Sequence, residues 1–82
     1  MSVYAVQKLI RDVNRRPDCR ETWFQSREEF MSRYDLTPVE AKALEDLDIG
    51  SLYKMGVHGL LLRPFTIIHQ VPEPDYLNAI RS

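Results

Sequence analysis

Residues 37–56 read TPVEAKALEDLDIGSLYKMG, and this stretch decides the fold. Thr37 is a helix cap, Pro38 takes the first helical position where its missing N–H costs nothing, and Glu40 completes a capping box three residues after the cap. The helix they open runs to about Asp46 and buries Val39, Ala43, Leu44 and Leu47. Asp48 caps a second short helix carrying Ile49, Leu52, Tyr53 and Met55. Gly56 ends that helix in the left-handed conformation that a residue without Cβ adopts freely. Two helices in succession, each with its own start and stop, point to a bundle of short helices.

Upstream, Ser26 and Glu29 form another capping box, opening a helix that reaches about Tyr34 and turns Phe30, Met31 and Tyr34 inward. Before it, Asp18 caps a short segment whose apolar end is Trp23 and Phe24. The first helix spans Val3 to Val13. Its apolar positions Val3, Val6, Leu9, Ile10 and Val13 recur at spacings of three and four, while Gln7, Lys8, Arg11, Asp12 and Asn14 face away. Pro17 ends this helix or opens the next element.

Downstream, Val57 to Gln70 reads as a helix kinked or restarted near Pro64. Residues 71–74 (Val-Pro-Glu-Pro) read as extended, and Asp75 to Arg81 as a terminal helix or part of a flexible tail over 71–82. Only Phe65 to Val71 has much β-branched character, and one strand cannot make a sheet. The expected fold is therefore all-α: a single domain over 1–82, built as a compact orthogonal bundle of five to seven short helices.

A chain of 82 residues has room for one small core, so a partner surface would help it. The formal net charge of -1 gives no general affinity for nucleic acid or an anionic membrane. Arg11, Arg15, Arg16 and Arg20 cluster, but Asp12, Asp18 and Glu21 interleave with them as on a solvated helix face. Cys19 is the one cysteine, which excludes an intrachain disulfide and fits a reducing compartment. The N-terminus lacks the basic start and long apolar run of a signal peptide, and Val57 to Ile68 is too short and too polar to span a bilayer. The expectation is a cytoplasmic protein.

No catalytic constellation stands in the chain. A non-haem iron site wants two histidines and a carboxylate on one face. His58 and His69 lie eleven residues apart, about 16 Å on a continuous helix, so no metal site is expected here. Cys19 has no nucleophile motif around it, and the paired carboxylates Glu28-Glu29 and Asp46-Asp48 belong to helix ends. What is unusual is the apolar richness of the second half. Leu60, Leu61, Leu62, Phe65, Ile67 and Ile68 fall too close together for one helical stripe. Either this helix is central to the bundle, or some of these residues form a docking surface with Tyr53, His58, Arg63 and His69 at its edge.

The segments FMSRYDLTPVE (30–40), Ala43-Leu44 and DIGSLYKMGVH (48–58) resemble the small (alpha) subunit of protocatechuate 4,5-dioxygenase-type extradiol ring-opening dioxygenases. The same domain is similar to the C-terminal part of gallate dioxygenases, where a D-x-x-x-L-Y-x-x-G-x-H run also precedes a leucine cluster. The resemblance covers most of the chain from Val3 onward. It implies a helical, non-catalytic accessory subunit or lid. A large catalytic subunit would supply Fe(II), its ligands and the catalytic base, leaving no cofactor in this chain. An aromatic substrate would lie at the interface. By motif, Tyr53, His58 and Phe65 are placed near the substrate pocket, with His69 and Tyr76 as further candidates. Leu60, Leu61, Leu62, Arg63, Ile67 and Ile68 would then meet the large subunit. Two features depart from the family: Gly59 stands where relatives often have proline, and Ser82 ends the chain short of the familiar small subunits.

Two other classes fit the residues. The chain could be the recognition domain of a ribosomally made peptide precursor, with Thr66 to Val71 as the modified segment. It could also be a free-standing protein-interaction domain. A precursor requires a mobile C-terminal segment, whereas a subunit carries Leu60 to Phe65 on an ordered helix.

Overall fold

In a computed structural model describing residues 3–81, helix α1 (Tyr4–Arg15) buries Val6, Leu9, Ile10 and Val13 completely. These four positions are one stripe of a 3.6-residue period. The helix stops at Arg16, which is extended (φ -110°, ψ 113°) because the ring of the following Pro17 disfavours a helical conformation before it. Residues 1, 2 and 82 of the expected domain lie outside the described residues.

Pro17 opens α2 (Pro17–Gln25) at its first position, and no side chain caps this helix. The expected cap Asp18 instead sits in the first turn, where its charge faces the positive end of the helix dipole. Ser26 then ends α2 and starts α3 (Arg27–Met31). Its Oγ accepts the Glu29 N–H at 3.3 Å, but its own N–H donates to the Thr22 carbonyl at 2.8 Å. That bond takes the donor a full capping box would use, so only half the box forms. Helix α3 also ends at Met31, before Tyr34, and Tyr34 is half-buried in the turn that follows.

The box at α4 (Pro38–Glu45) is complete: the Glu40 N–H donates to Thr37 Oγ1 at 3.2 Å and the Thr37 N–H to Glu40 Oε1 at 2.9 Å. Val39, expected in the core, is 70 % exposed. The inward stripe is Glu40, Ala43 and Leu44, and Val39 lies one residue, a 100° step, off that phase. Asp48 caps α5 (Ile49–Lys54) as expected, its Oδ1 accepting the Ser51 N–H.

Three helices end in the same way. After α4, Leu47 (φ 54°) donates its N–H to Leu44 O, and the Asp48 N–H reaches Ala43 O. After α5, Gly56 (φ 103°) and Val57 bond to Tyr53 O and Leu52 O. After α6 (Gly59–Ile68), Gln70 (φ 61°) and Val71 bond to Ile67 O and Thr66 O. Each is a Schellman turn, in which a left-handed residue lets two N–H groups satisfy otherwise orphaned carbonyls.

Helix α6 starts at Gly59 rather than Val57 and runs through Pro64 without a restart. Pro64 is exposed, as is Leu60, whose carbonyl loses the donor that Pro64 cannot supply. Helix α7 (Glu73–Arg81) includes Glu73 and Pro74, expected to be extended, and buries Tyr76. Pro74 fits there because the first turn of a helix has no N–H bonds to lose. The fold is an all-α bundle of seven helices with no strand among the described residues. Helix α1 packs on α2 and α6, while α5 packs on α7. A Cβ on Gly50 would stand 3.0 Å from the Ala79 carbonyl, so the missing side chain sets how closely α5 and α7 approach.

The boundary chemistry predicts the response to substitution. Thr37→Ala and Gly56→Ala should each lose about 1 kcal/mol, or roughly 4–8 °C in Tm, while Val39→Ala stays within about 0.5 kcal/mol. Urea and thermal melts of the three variants check this ranking.

Candidate functional site

Trp23 is fully buried, and its indole N–H must find an acceptor inside the molecule. It donates to Nε2 of His69 at 2.9 Å. The other ring nitrogen, Nδ1, lies 2.7 Å from the Phe65 carbonyl. With Nε2 accepting, Nδ1 carries the proton and donates it, so His69 is held as one neutral tautomer. Phe65 and Phe24 stand 4.6 and 5.0 Å from the imidazole, and the Arg27 guanidinium lies 5.0 Å over the Trp23 ring. Burial lowers the His69 pKa; the Phe65 carbonyl acts the other way and Arg27 adds to the lowering.

The remaining residues picked out from the sequence divide by exposure. Phe65 and Leu62 are fully buried, and Tyr76 nearly so, all in this chain's own core. No partner or substrate reaches Leu62 or Phe65 without opening that core. Their positions follow the inward phase of α6, set by Leu62, Phe65 and Thr66. Arg63 lies 4.9 Å over the Tyr76 ring and donates to Thr66 Oγ1 and the Val71 carbonyl, tying the end of α6 to α7. Leu61 and Ile68 are half-buried, whereas Leu60 and Ile67 are 81 % and 56 % exposed. Tyr53 on α5 and His58 at the start of α6 are also exposed, on either side of the Gly56 turn. The structure thus joins His69 to Phe65 and leaves Tyr53 and His58 on the outside.

His58 caps α6 through Nδ1, which accepts the Leu60 N–H at 3.1 Å. An accepting Nδ1 leaves the proton of the neutral ring on Nε2, pointing away from the cap. The His58 backbone N–H in turn donates to Gln7 Oε1 on α1 at 2.9 Å. Asn14, about two turns further along the same face of α1, donates from Nδ2 to the Leu61 carbonyl at 3.0 Å. These bonds fix α1 beside the first turn of α6 and leave a groove lined by Tyr4, Gln7, Lys8, Arg11 and Leu61.

Lys8 and Arg11 lie on the face of α1 expected to be solvated and are exposed there, while the groove between them and Leu61 is not among the expectations from the sequence. The signal was present: Tyr4, Lys8 and Arg11 follow i, i+4, i+7. The arginine cluster itself has several fates. Arg20 turns back to cap α1, donating to the Val13 and Asn14 carbonyls at 3.1 and 2.7 Å. Arg16 lies 3.8 Å from Asp18 on the surface. Arg11 and Arg15 remain exposed on α1. The Cys19 thiol pKa is raised, by burial first and by Asp18 second, which opposes thiolate formation. Among the described residues no group of three or more His, Cys, Asp or Glu is placed to hold a metal ion. No helix among them is long and apolar enough to cross a membrane.

A comparison with protein families finds one whose description is LigA, aromatic-ring-opening dioxygenase LigAB, LigA subunit, matching residues 6–81. No curated protein and no solved structure matches the chain.

The His69 contacts set a pH dependence. Its pKa in the folded chain lies below the ordinary 6.5, so the unfolded chain takes up the proton first on acidification. Its contribution to stability is complete above about pH 6.5 and is lost as pH falls toward the folded pKa. Wild-type Tm should therefore drop more between pH 7.5 and 5 than that of His69→Gln, which keeps an acceptor for Trp23. Parallel Tm–pH curves would contradict the assignment.

Proposed function

The chain belongs to the LigA-subunit family of aromatic-ring-opening dioxygenases, and from that premise we propose that it is a non-catalytic accessory subunit, a lid completing the substrate pocket of a large catalytic subunit. The observation that carries the reading is the outer side of α6, where Leu60 and Ile67 stand exposed opposite the fully buried Leu62 and Phe65. A ring-cleaving dioxygenase of the extradiol type needs Fe(II), and in this reading the large subunit holds it. His69 has both nitrogens engaged and His58 has one, which leaves this chain a poor source of iron ligands.

A lid works by excluding water and orienting the substrate. Tyr53 and His58 are the pocket candidates free to do so, since Phe65 and Tyr76 are buried and His69 is committed to Trp23. The capping bond at Nδ1 leaves the Nε2–H of His58 available to a carboxylate or phenolate oxygen of an aromatic acid. Such a bond gains strength where the interface is closed to water.

The precursor reading has less support. Thr66 is fully buried and Arg63 holds the Val71 carbonyl, so the segment a modifying enzyme would need is built into the domain.

Adding the chain to its purified large subunit should raise kcat/KM for ring cleavage of a catechol-type acid by about tenfold or more. His58→Asn, which keeps a capping side chain, should lose much of that gain while the complex still forms. An unchanged rate on adding the wild-type chain would overturn the lid role.

A further inference from the structure

Helix α6 presents Leu60, Pro64 and Ile67 at i, i+4 and i+7, and all three are exposed. This outer ridge lies opposite the inward set Leu62, Phe65 and Thr66. Pro64 also carries no N–H, so the Leu60 carbonyl on the ridge lacks the donor that a helix ordinarily gives it. Along one flank, Leu61 lines the groove whose other wall is Tyr4, Lys8 and Arg11 of α1. Lys8, Arg11 and Arg15 are exposed, and none of them makes an ion pair or side-chain hydrogen bond with a described residue. The nearest acid of that helix, Asp12, is engaged by the Tyr34 hydroxyl. In a chain of formal net charge -1, three cations on one helix concentrate positive charge beside an apolar ridge.

We propose that this composite face of α1 and α6 is where the large subunit docks, and that the surface meeting it is an apolar patch rimmed by carboxylates. The inference rests on the subunit reading above and specifies which face carries it. Interfaces of this kind have an apolar centre that supplies binding energy and a charged rim that sets orientation and association rate. Leu60, Pro64 and Ile67 form the centre, and Lys8 and Arg11 the rim. Charge also selects the occupant. In a two-fold contact between copies of this chain the same patch meets itself, and the α1 cations conflict with a surface whose α1 and α6 helices hold no carboxylate but Asp12. A partner with acidic residues around an apolar patch has no such conflict.

The test is titration calorimetry of the intact chain with its purified large dioxygenase subunit at low and high salt. The Lys8→Glu/Arg11→Glu double variant should bind about tenfold or more weakly and lose most of the salt dependence of the wild type. Leu60→Asp should weaken binding by a similar factor with the salt dependence kept. Val39→Asp, exposed on α4, should bind like the wild type. All four are surface positions, so unchanged melting curves would show that the variants fold. Normal binding by the α1 and α6 variants would overturn the inference while leaving the subunit reading intact. No binding by the wild type would overturn both. Self-association of the free chain that Leu60→Asp abolishes would assign the face to a second copy and overturn the inference.

Discussion

Helix α6 has to serve a core that covers only part of it. Its inward side, Leu62, Phe65 and Thr66, is sealed against α1 and the aromatic cluster around Trp23, with no solvent exposure. An 82-residue domain lacks the mass to wrap the other side as well. Leu60, Pro64 and Ile67 therefore stay outside, although nearly the whole helix is apolar. Much of the surrounding structure holds α6 in that attitude. His58 caps its first turn, Gln7 and Asn14 tie it to α1, and Arg63 fastens its last turn to the segment leading into α7. The Trp23–His69 bond closes the far end.

The two histidines are both structural in part, one capping a helix and one accepting an indole N–H. Cys19 is kept toward the thiol form. The surface presents an apolar ridge, a cationic border and two exposed polar side chains, Tyr53 and His58, the latter held in place by its capping hydrogen bond. In the proposed lid role such order matters, because a lid that must order itself on docking loses affinity to conformational entropy. The capping bonds and Schellman turns supply that order before any partner arrives.

The helical architecture was legible wherever a local signal had a local cause. The box at Thr37–Glu40, the cap at Asp48, the left-handed Gly56 and the stripe of α1 all appear as read. Helix ends without glycine were not legible. Leu47 and Gln70 adopt left-handed conformations that their side chains disfavour, and the turn bonds they complete depend on the tertiary fold. Phase was harder still. Val39, expected inside, stands outside and Glu40 is buried, because a polar side chain that folds back on its own cap can be buried at little cost. At the site, the apolar surplus of α6 was visible, but which of its residues face outward was not. Leu62 and Phe65 turned inward, and the groove beside the exposed α1 cations was not expected from the sequence. Those assignments need the α1–α6 packing, which is fixed by hydrogen bonds between residues 47 and 51 positions apart.

The most direct measurement of the central claim is hydrogen–deuterium exchange of this chain, free and bound to its large subunit, followed by peptide. The account predicts added protection over residues 4–15 and 58–68, with residues 37–46 exchanging as they do in the free chain. Protection confined to α4, with α1 and α6 unchanged, would contradict it.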